Sequence, residues 1–162
     1  MSAVISNCGT YRYSLSRLGT GNAVHQTPLL FLMLNPSTAD ASDDDPTIGR
    51  CRSFAQGFGY DGLVVGNLYA LRFPSSAALW LHGDPIGPEN NAYLAAMADE
   101  YKNVICAWGA AANRNRAQEV ADIFLRAGAK LWCLGTTKSG APLHPLYVKG
   151  SQPLVEWTPV SR

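Results

Sequence analysis

Short, wholly apolar runs alternate along the chain with stretches of helical periodicity. Pro28–Leu34 (PLLFLML) is too short for a helix and too apolar for a half-exposed strand, so it predicts a buried central strand. Gly62–Ala70 (GLVVGNLYA), Asn103–Trp108 (NVICAW) and Lys130–Leu134 (KLWCL) predict three more. Tyr11–Leu18 places aromatic and basic residues in turn (Tyr11, Arg12, Tyr13, Arg17) and reads as a first strand at a sheet edge. Between the strands the period changes. Asp45-Pro46 has the form of a helix N-cap with proline in the first turn, and Ile48, Cys51, Phe54 and Ala55 then share one helical face. Gly57 and Gly59 end that helix. Ser75–Leu81 predicts a short helix. Gly87-Pro88 opens one that runs to about Tyr101, with Tyr93, Leu94 and Met97 on one face. A last helix runs from about Asn113 to Ala127, with Val120, Ala121, Phe124 and Leu125 as its stripe and Gly128 as its cap.

Greasy strands alternating with amphipathic helices predict one α/β domain over residues 1–162, a three-layer α/β/α sandwich around a mostly parallel sheet. In such sheets ligands bind beyond the carboxyl ends of the strands. Polar and small residues concentrate there: Asn35-Pro36-Ser37-Thr38, Asn67 with Arg72, Trp108-Gly109, and Gly135-Thr136-Thr137-Lys138.

Composition narrows the class. Of 162 residues, 47% are hydrophobic and 15% charged, which excludes a disordered chain. A net charge of +1 excludes a broad basic coat but leaves room for a small basic groove. No apolar run reaches the roughly 18 residues a membrane helix needs. Met1–Thr10 is polar, so no secretory signal is read and a cytoplasmic location is expected. Cys8, Cys51, Cys106 and Cys133 lie far apart without a C-x-x-C pair and read mainly as small buried hydrophobes. No metal and no cofactor are expected.

Each strand end carries a chemical reading and a structural one. Asn35 can fix a water or a polar ligand, or it can bond its own turn, which Pro36 stiffens. Asp40 can serve as a general base, whereas Asp45 reads first as the helix cap. Asn67 inside an apolar strand needs a partner; its amide can read the edge of a heterocycle or brace a loop. Arg72 and Phe73, with Pro74 beyond them, offer an anion contact and a stacking face, or an ordinary surface pair. Thr136 and Lys138 sit in a glycine-flanked loop that can hold a phosphate but lacks P-loop spacing. His144, before Pro145, can donate to an oxyanion on a leaving group. Trp108 and Tyr147 can be pocket walls or core aromatics. G-x-S-x-G, H-E-x-x-H and G-x-G-x-x-G are all missing, which removes the common hydrolase, zinc-protease and dinucleotide readings.

The series LMLNPSTAD, DPTIGRC, VVGNLYALR, DPIGPEN, VICAWG and LGTTKSGAPLHPLY resembles a bacterial and phage family, number sixteen forty-three among the domains of unknown function. The likeness runs from about Tyr11 to Trp157 and brings no activity with it. A more distant likeness does. The motif order is similar to that of the uracil-DNA glycosylase superfamily: Leu34-Asn35-Pro36, Asn67 with Arg72 and Pro74, Trp108-Gly109, then His144-Pro145. That resemblance implies a glycosylase-like fold and an N-glycosidic hydrolase. Asn35, or Asp40, would position water, Asn67 would read the base, Phe73, Trp108 or Tyr147 would stack on it, and His144 would stabilise the leaving base. Met33-Leu34 stands where the superfamily has a glycine before Asn-Pro, and Leu146-Tyr147 follows His144-Pro145 instead of a DNA-gripping Ser-Pro. A free nucleoside or nucleotide is therefore an alternative to DNA. A non-catalytic nucleobase- or nucleic-acid-binding module is the alternative to an enzyme.

Overall fold

The computed structural model describes residues 1–159 other than Thr38 and Pro74, so the expectations placed on those two lie outside the described residues. Seven strands form one sheet: β1 (Ser2–Ile5), β2 (Arg12–Leu18), β3 (Leu29–Met33), β4 (Gly62–Asn67), β5 (Asn103–Cys106), β6 (Lys130–Cys133) and β7 (Val155–Glu156). Their spatial order is β1-β2-β4-β3-β5-β6-β7. The middle four strands are parallel, and β1, β2 and β7 run antiparallel to their neighbours. The sheet is thus mixed rather than mostly parallel. Tyr11–Leu18 was expected at an edge, but β1 pairs along β2 and covers it.

The apolar runs become central strands because both of their faces are covered. In β3, Leu29, Phe31 and Met33 pack with Ile48, Cys51, Phe54 and Ala55 of α1 (Pro46–Gly57). Leu30 and Leu32 point the other way, into a cluster with Leu94 and Met97 of α2 (Asn90–Glu100) and Val120, Ala121 and Phe124 of α3 (Arg114–Arg126). Helices therefore lie on both faces. All five β3 residues are buried, and the alternation of the strand alone sorts them between the two cores. Gly66 sits where a Cβ would come within 2.8 Å of the Met97 sulfur, which lets α2 lie close against β4.

The caps follow the sequence. Asp45 accepts from the Ile48 N–H and Pro46 opens α1, while Asn113 accepts from the N–H groups of Asn115 and Arg116 to open α3. Ser76–Leu81 and Pro145–Tyr147 are 3-10 helices. Cys51, Cys106 and Cys133 are buried, but Cys8 is exposed, so burial does not account for all four. Ser6 and Thr10 hydrogen bonds bring the Cys8 thiol down to about 7. Among the described residues no helix is long and apolar enough to cross a membrane, and no three His, Cys, Asp or Glu side chains cluster as a metal site.

Candidate functional site

The chain runs from β3 to β4 on one side and then to β5 on the other, so the direction of winding reverses between β3 and β5. The strand-end rule places a ligand crevice there. A cavity of about 490 Å³ opens at that point, lined by residues that follow β3, β4 and β5 and by the loop around His144. Its volume falls in the range that encloses a small organic ligand, roughly 300–1,000 Å³.

Asn67 ends β4 and is 1% exposed. Neither its Nδ2 nor its Oδ1 has a hydrogen-bond partner, although both atoms are sealed from bulk water. A buried amide left in this state costs about 1–3 kcal/mol per orphaned group. The strand end that carries it is itself well held. Asn90, the first residue of α2, donates from Nδ2 to the Asn67 carbonyl at 3.0 Å and to the Leu68 carbonyl at 3.2 Å. Buried Arg116 donates from Nε to the same Leu68 carbonyl at 2.8 Å. The backbone is fixed and the side chain is left unpaired.

Asn35 behaves differently. Its Nδ2 donates to the carbonyls of Pro36 at 3.0 Å, Phe73 at 3.1 Å and Leu71 at 3.4 Å. It staples the loop after β3 to the loop after β4 and sets Phe73 at the rim, so of its amide only Oδ1 is left to serve a ligand. Its nitrogen bonds its own turn at Pro36, as the structural reading of Asn35 expected, and the loop after β4 as well. Pro36 is buried and contributes its carbonyl to this staple rather than a surface to the cavity.

His144 precedes the Pro145–Tyr147 turn, and its Nδ1 accepts from the Leu146 N–H at 3.2 Å. The neutral ring then carries its proton on Nε2. Desolvation lowers the imidazole pKa below its ordinary value, against a smaller opposing attraction from Asp45, which favours that neutral form. Arg50 of α1 anchors the turn by donating to the Pro145 and Val148 carbonyls. Gly109 takes a φ of +80° just after Trp108, a left-handed turn that suits glycine, and its Cα faces the His144 side chain. Trp108 is buried, with its ring edge-on to Trp157 at 5.2 Å, whereas Tyr147 is 83% exposed at the mouth.

Asn35, Ser37, Asn67, Phe73, Trp108, His144 and Tyr147 all line this one cavity. Asp40, Arg72, Thr136 and Lys138 do not. The Asp40 carboxylate accepts from the Ser42 and Asp43 N–H groups, which hold it below the usual carboxylate range in an exposed turn. The carboxylate on the cavity is Asp45, whose Oδ1 caps α1 while its Oδ2 accepts from the Ser37 hydroxyl at 2.5 Å. Arg72 reaches away to the Gly9 carbonyl at 3.3 Å. The loop with Thr136 and Lys138 is a tight turn that uses its own amides: Thr137 N–H bonds the Ala141 carbonyl and Gly140 N–H the Thr137 carbonyl. Those donors are unavailable to a phosphate.

Two charged cavity residues escape a sequence reading. Asp45 carries so clear a cap signature that a second role is hidden behind it. Arg12 looks like an exposed edge-strand cation but is 2% exposed, lines the cavity and donates from Nη1 to the Ala39 carbonyl at 2.6 Å. Burial lowers its pKa to about 10, so it remains cationic at neutral pH.

The molecule is thus an α/β protein with a polar-floored cavity at the reversal of its parallel strands. Residues 12–146 match the family described as Protein of unknown function (DUF1643), and the chain belongs to that family. No curated protein and no solved structure matches it.

Proposed function

We propose that the cavity binds a nucleobase and that the protein hydrolyses the N-glycosidic bond of a nucleoside or nucleotide. One observation carries the reading: the Asn67 amide, donor and acceptor both, is buried and unpaired in a residue that lines the cavity. An amide in that state matches a planar ring edge that offers one acceptor and one donor, the bidentate pairing an Asn makes with a base. A good pair of this kind is worth about 1–3 kcal/mol. The resemblance of the motif order to that of the uracil-DNA glycosylase superfamily, read from the sequence, is in keeping with the same ligand class.

The chemistry follows from the neighbours. Water attacks the anomeric carbon, the carbon–nitrogen bond breaks, and its electron pair stays on the ring nitrogen. The Nε2–H of neutral His144 donates to the base anion that forms. Asp45 keeps carboxylate lone pairs beyond those bonded to Ile48 and Ser37, and can orient the attacking water together with Asn35 Oδ1. One water proton passes to Asp45 and on to the base, leaving a free base and a sugar hydroxyl. Binding without cleavage is the second reading. It draws on Asn35, whose nitrogen is spent on three carbonyls and not on a water.

The test is a base-release screen over nucleosides, nucleotides, and single- and double-stranded DNA with modified bases. The hydrolase reading expects release of a free base, falling on the order of 10²–10³-fold in His144→Ala. Binding that needs Asn67 but never releases base would instead identify a binding module. No binding of any base-containing ligand would remove both readings.

A further inference from the structure

We infer that the cavity is built for a ligand that ends in an anionic group beside Arg12, which makes a free nucleoside monophosphate or the nucleoside of a carboxylated base the substrate class rather than a base within a strand. The inference rests on the nucleobase reading above and goes further by naming the ligand's charge and form.

The guanidinium of Arg12 is the buried cation of this cavity. Among the described residues one of its N–H groups has an acceptor, the Ala39 carbonyl, and its Nε is sealed without a partner. No carboxylate lies within ion-pair distance of it among the described residues. The groups that act on it through space are mixed: Asp45 and Asp40 attract, and Arg72 and Arg17 repel. A buried charge without a hydrogen-bonded counter-ion is expensive, by several kcal/mol. The expense is offset when an anion arrives, because a guanidinium presents a planar fork that matches carboxylate and phosphate oxygens.

Burial also decides the form of that anion. A strand of nucleic acid must enter and leave its site, so its phosphodiesters track exposed grooves. Arg12 lies too deep for a through-running backbone and accepts only the end of a molecule. The one exposed basic residue of the candidate anion loop, Lys138, is not among the residues that line the cavity, which leaves a strand without that second contact.

Calorimetric titration at low ionic strength tests this with matched pairs: each nucleoside against its 5′-monophosphate, uracil against uracil-6-carboxylate, and a short oligonucleotide against the mononucleotide, with inorganic phosphate alone as a further arm. The two anionic sources are thereby separated. In the wild-type protein at least one anionic member should bind tenfold or more tighter than its neutral partner, and in Arg12→Gln that pair should bind alike. The comparison in the wild-type chain needs no variant, so a poorly folded Arg12→Gln does not rescue the idea. Equal binding of neutral and anionic members would overturn the inference and leave the nucleobase reading standing. An oligonucleotide that binds as tightly as the mononucleotide would also overturn it. Arg12-dependent binding of phosphate with no response to any base would keep the anion subsite and end the nucleobase reading.

Discussion

Two arginines five positions apart on β2 are both buried, yet they live in opposite states. Arg17 is fully employed. Its Nε meets Asp44 at 2.6 Å, its Nη1 donates to the Ser16 carbonyl at 3.0 Å, and its Nη2 donates to the carbonyls of Asp40 at 2.5 Å and Asp43 at 3.2 Å. Arg12 spends one bond on Ala39. The same contrast recurs in amides. Asn90 ties down the end of β4, whereas Asn67, carried by that end, has no partner for either side-chain atom. Buried polarity in this fold thus divides in two. One part, Arg17 with the Asn90 and Arg116 nitrogens that bond strand-end carbonyls, fixes the acidic loop and the end of β4, although Asn90 Oδ1 and Arg116 Nη2 are left without partners of their own. The other part lines a cavity unsatisfied. Burying polar groups without partners costs stability, so the second part is best explained by what it would bind.

That division can be broken from either side. Replacing Arg17 with Met should have the largest effect on stability. It strips the acidic loop of its clamp and leaves Asp44 with Arg52 alone, whose bond to it is exposed at 2.8 Å. A loss of about 3 kcal/mol is expected in urea unfolding. A loss near zero would show that the loop needs no clamp. Asn67→Leu should move the other way. Removing two orphaned polar atoms at similar volume should raise the unfolding free energy by about 1 kcal/mol, while base affinity falls about 10- to 100-fold. A destabilised Asn67→Leu would place Asn67 with Asn90, among the structural amides.

The smallest effect is a slope. Burial holds the His144 pKa below that of the unfolded chain, so between the two values the unfolded chain binds more protons. Stability must then rise with pH across that interval. The contribution is complete above the unfolded value of about 6.5 and is lost as pH falls through the folded value. Unfolding measured from pH 7 downward should show this slope in the wild-type protein and a flatter one in His144→Gln. Matching slopes would mean that the imidazole is not desolvated.

Much of the frame was readable from residues alone because its signals are local. The apolar runs, the Asp45-Pro46 cap and the stripe of Ile48, Cys51, Phe54 and Ala55 all fall where local rules place them. What escaped depends on contacts across the chain. β1 and β7 are short edge strands of weak alternation, held by pairing with β2 and β6. Arg12 and Arg17 look exposed until the 39–45 loop folds back over them. The residues after β3, β4 and β5 and the His144 loop could be ranked by the strand-end rule, which is why Asn35, Asn67, Trp108 and His144 share a cavity. That rule carries no information about which acidic residue of a cluster turns inward, so it could not choose Asp45 over Asp40. Nor could it say that the Thr137 and Gly140 amides of the 135–140 loop are spent on their own turn.

The central claim is that the Asn67 side chain is unpaired because a ligand completes it. Its side-chain amide resonances, followed by ¹⁵N NMR during titration with the nucleoside monophosphates, report on that directly. The account predicts that at least one of them shifts the Asn67 NH₂ pair in a saturable way while that of Asn90 stays in place. Ligand that binds and saturates with the Asn67 pair unmoved would contradict it.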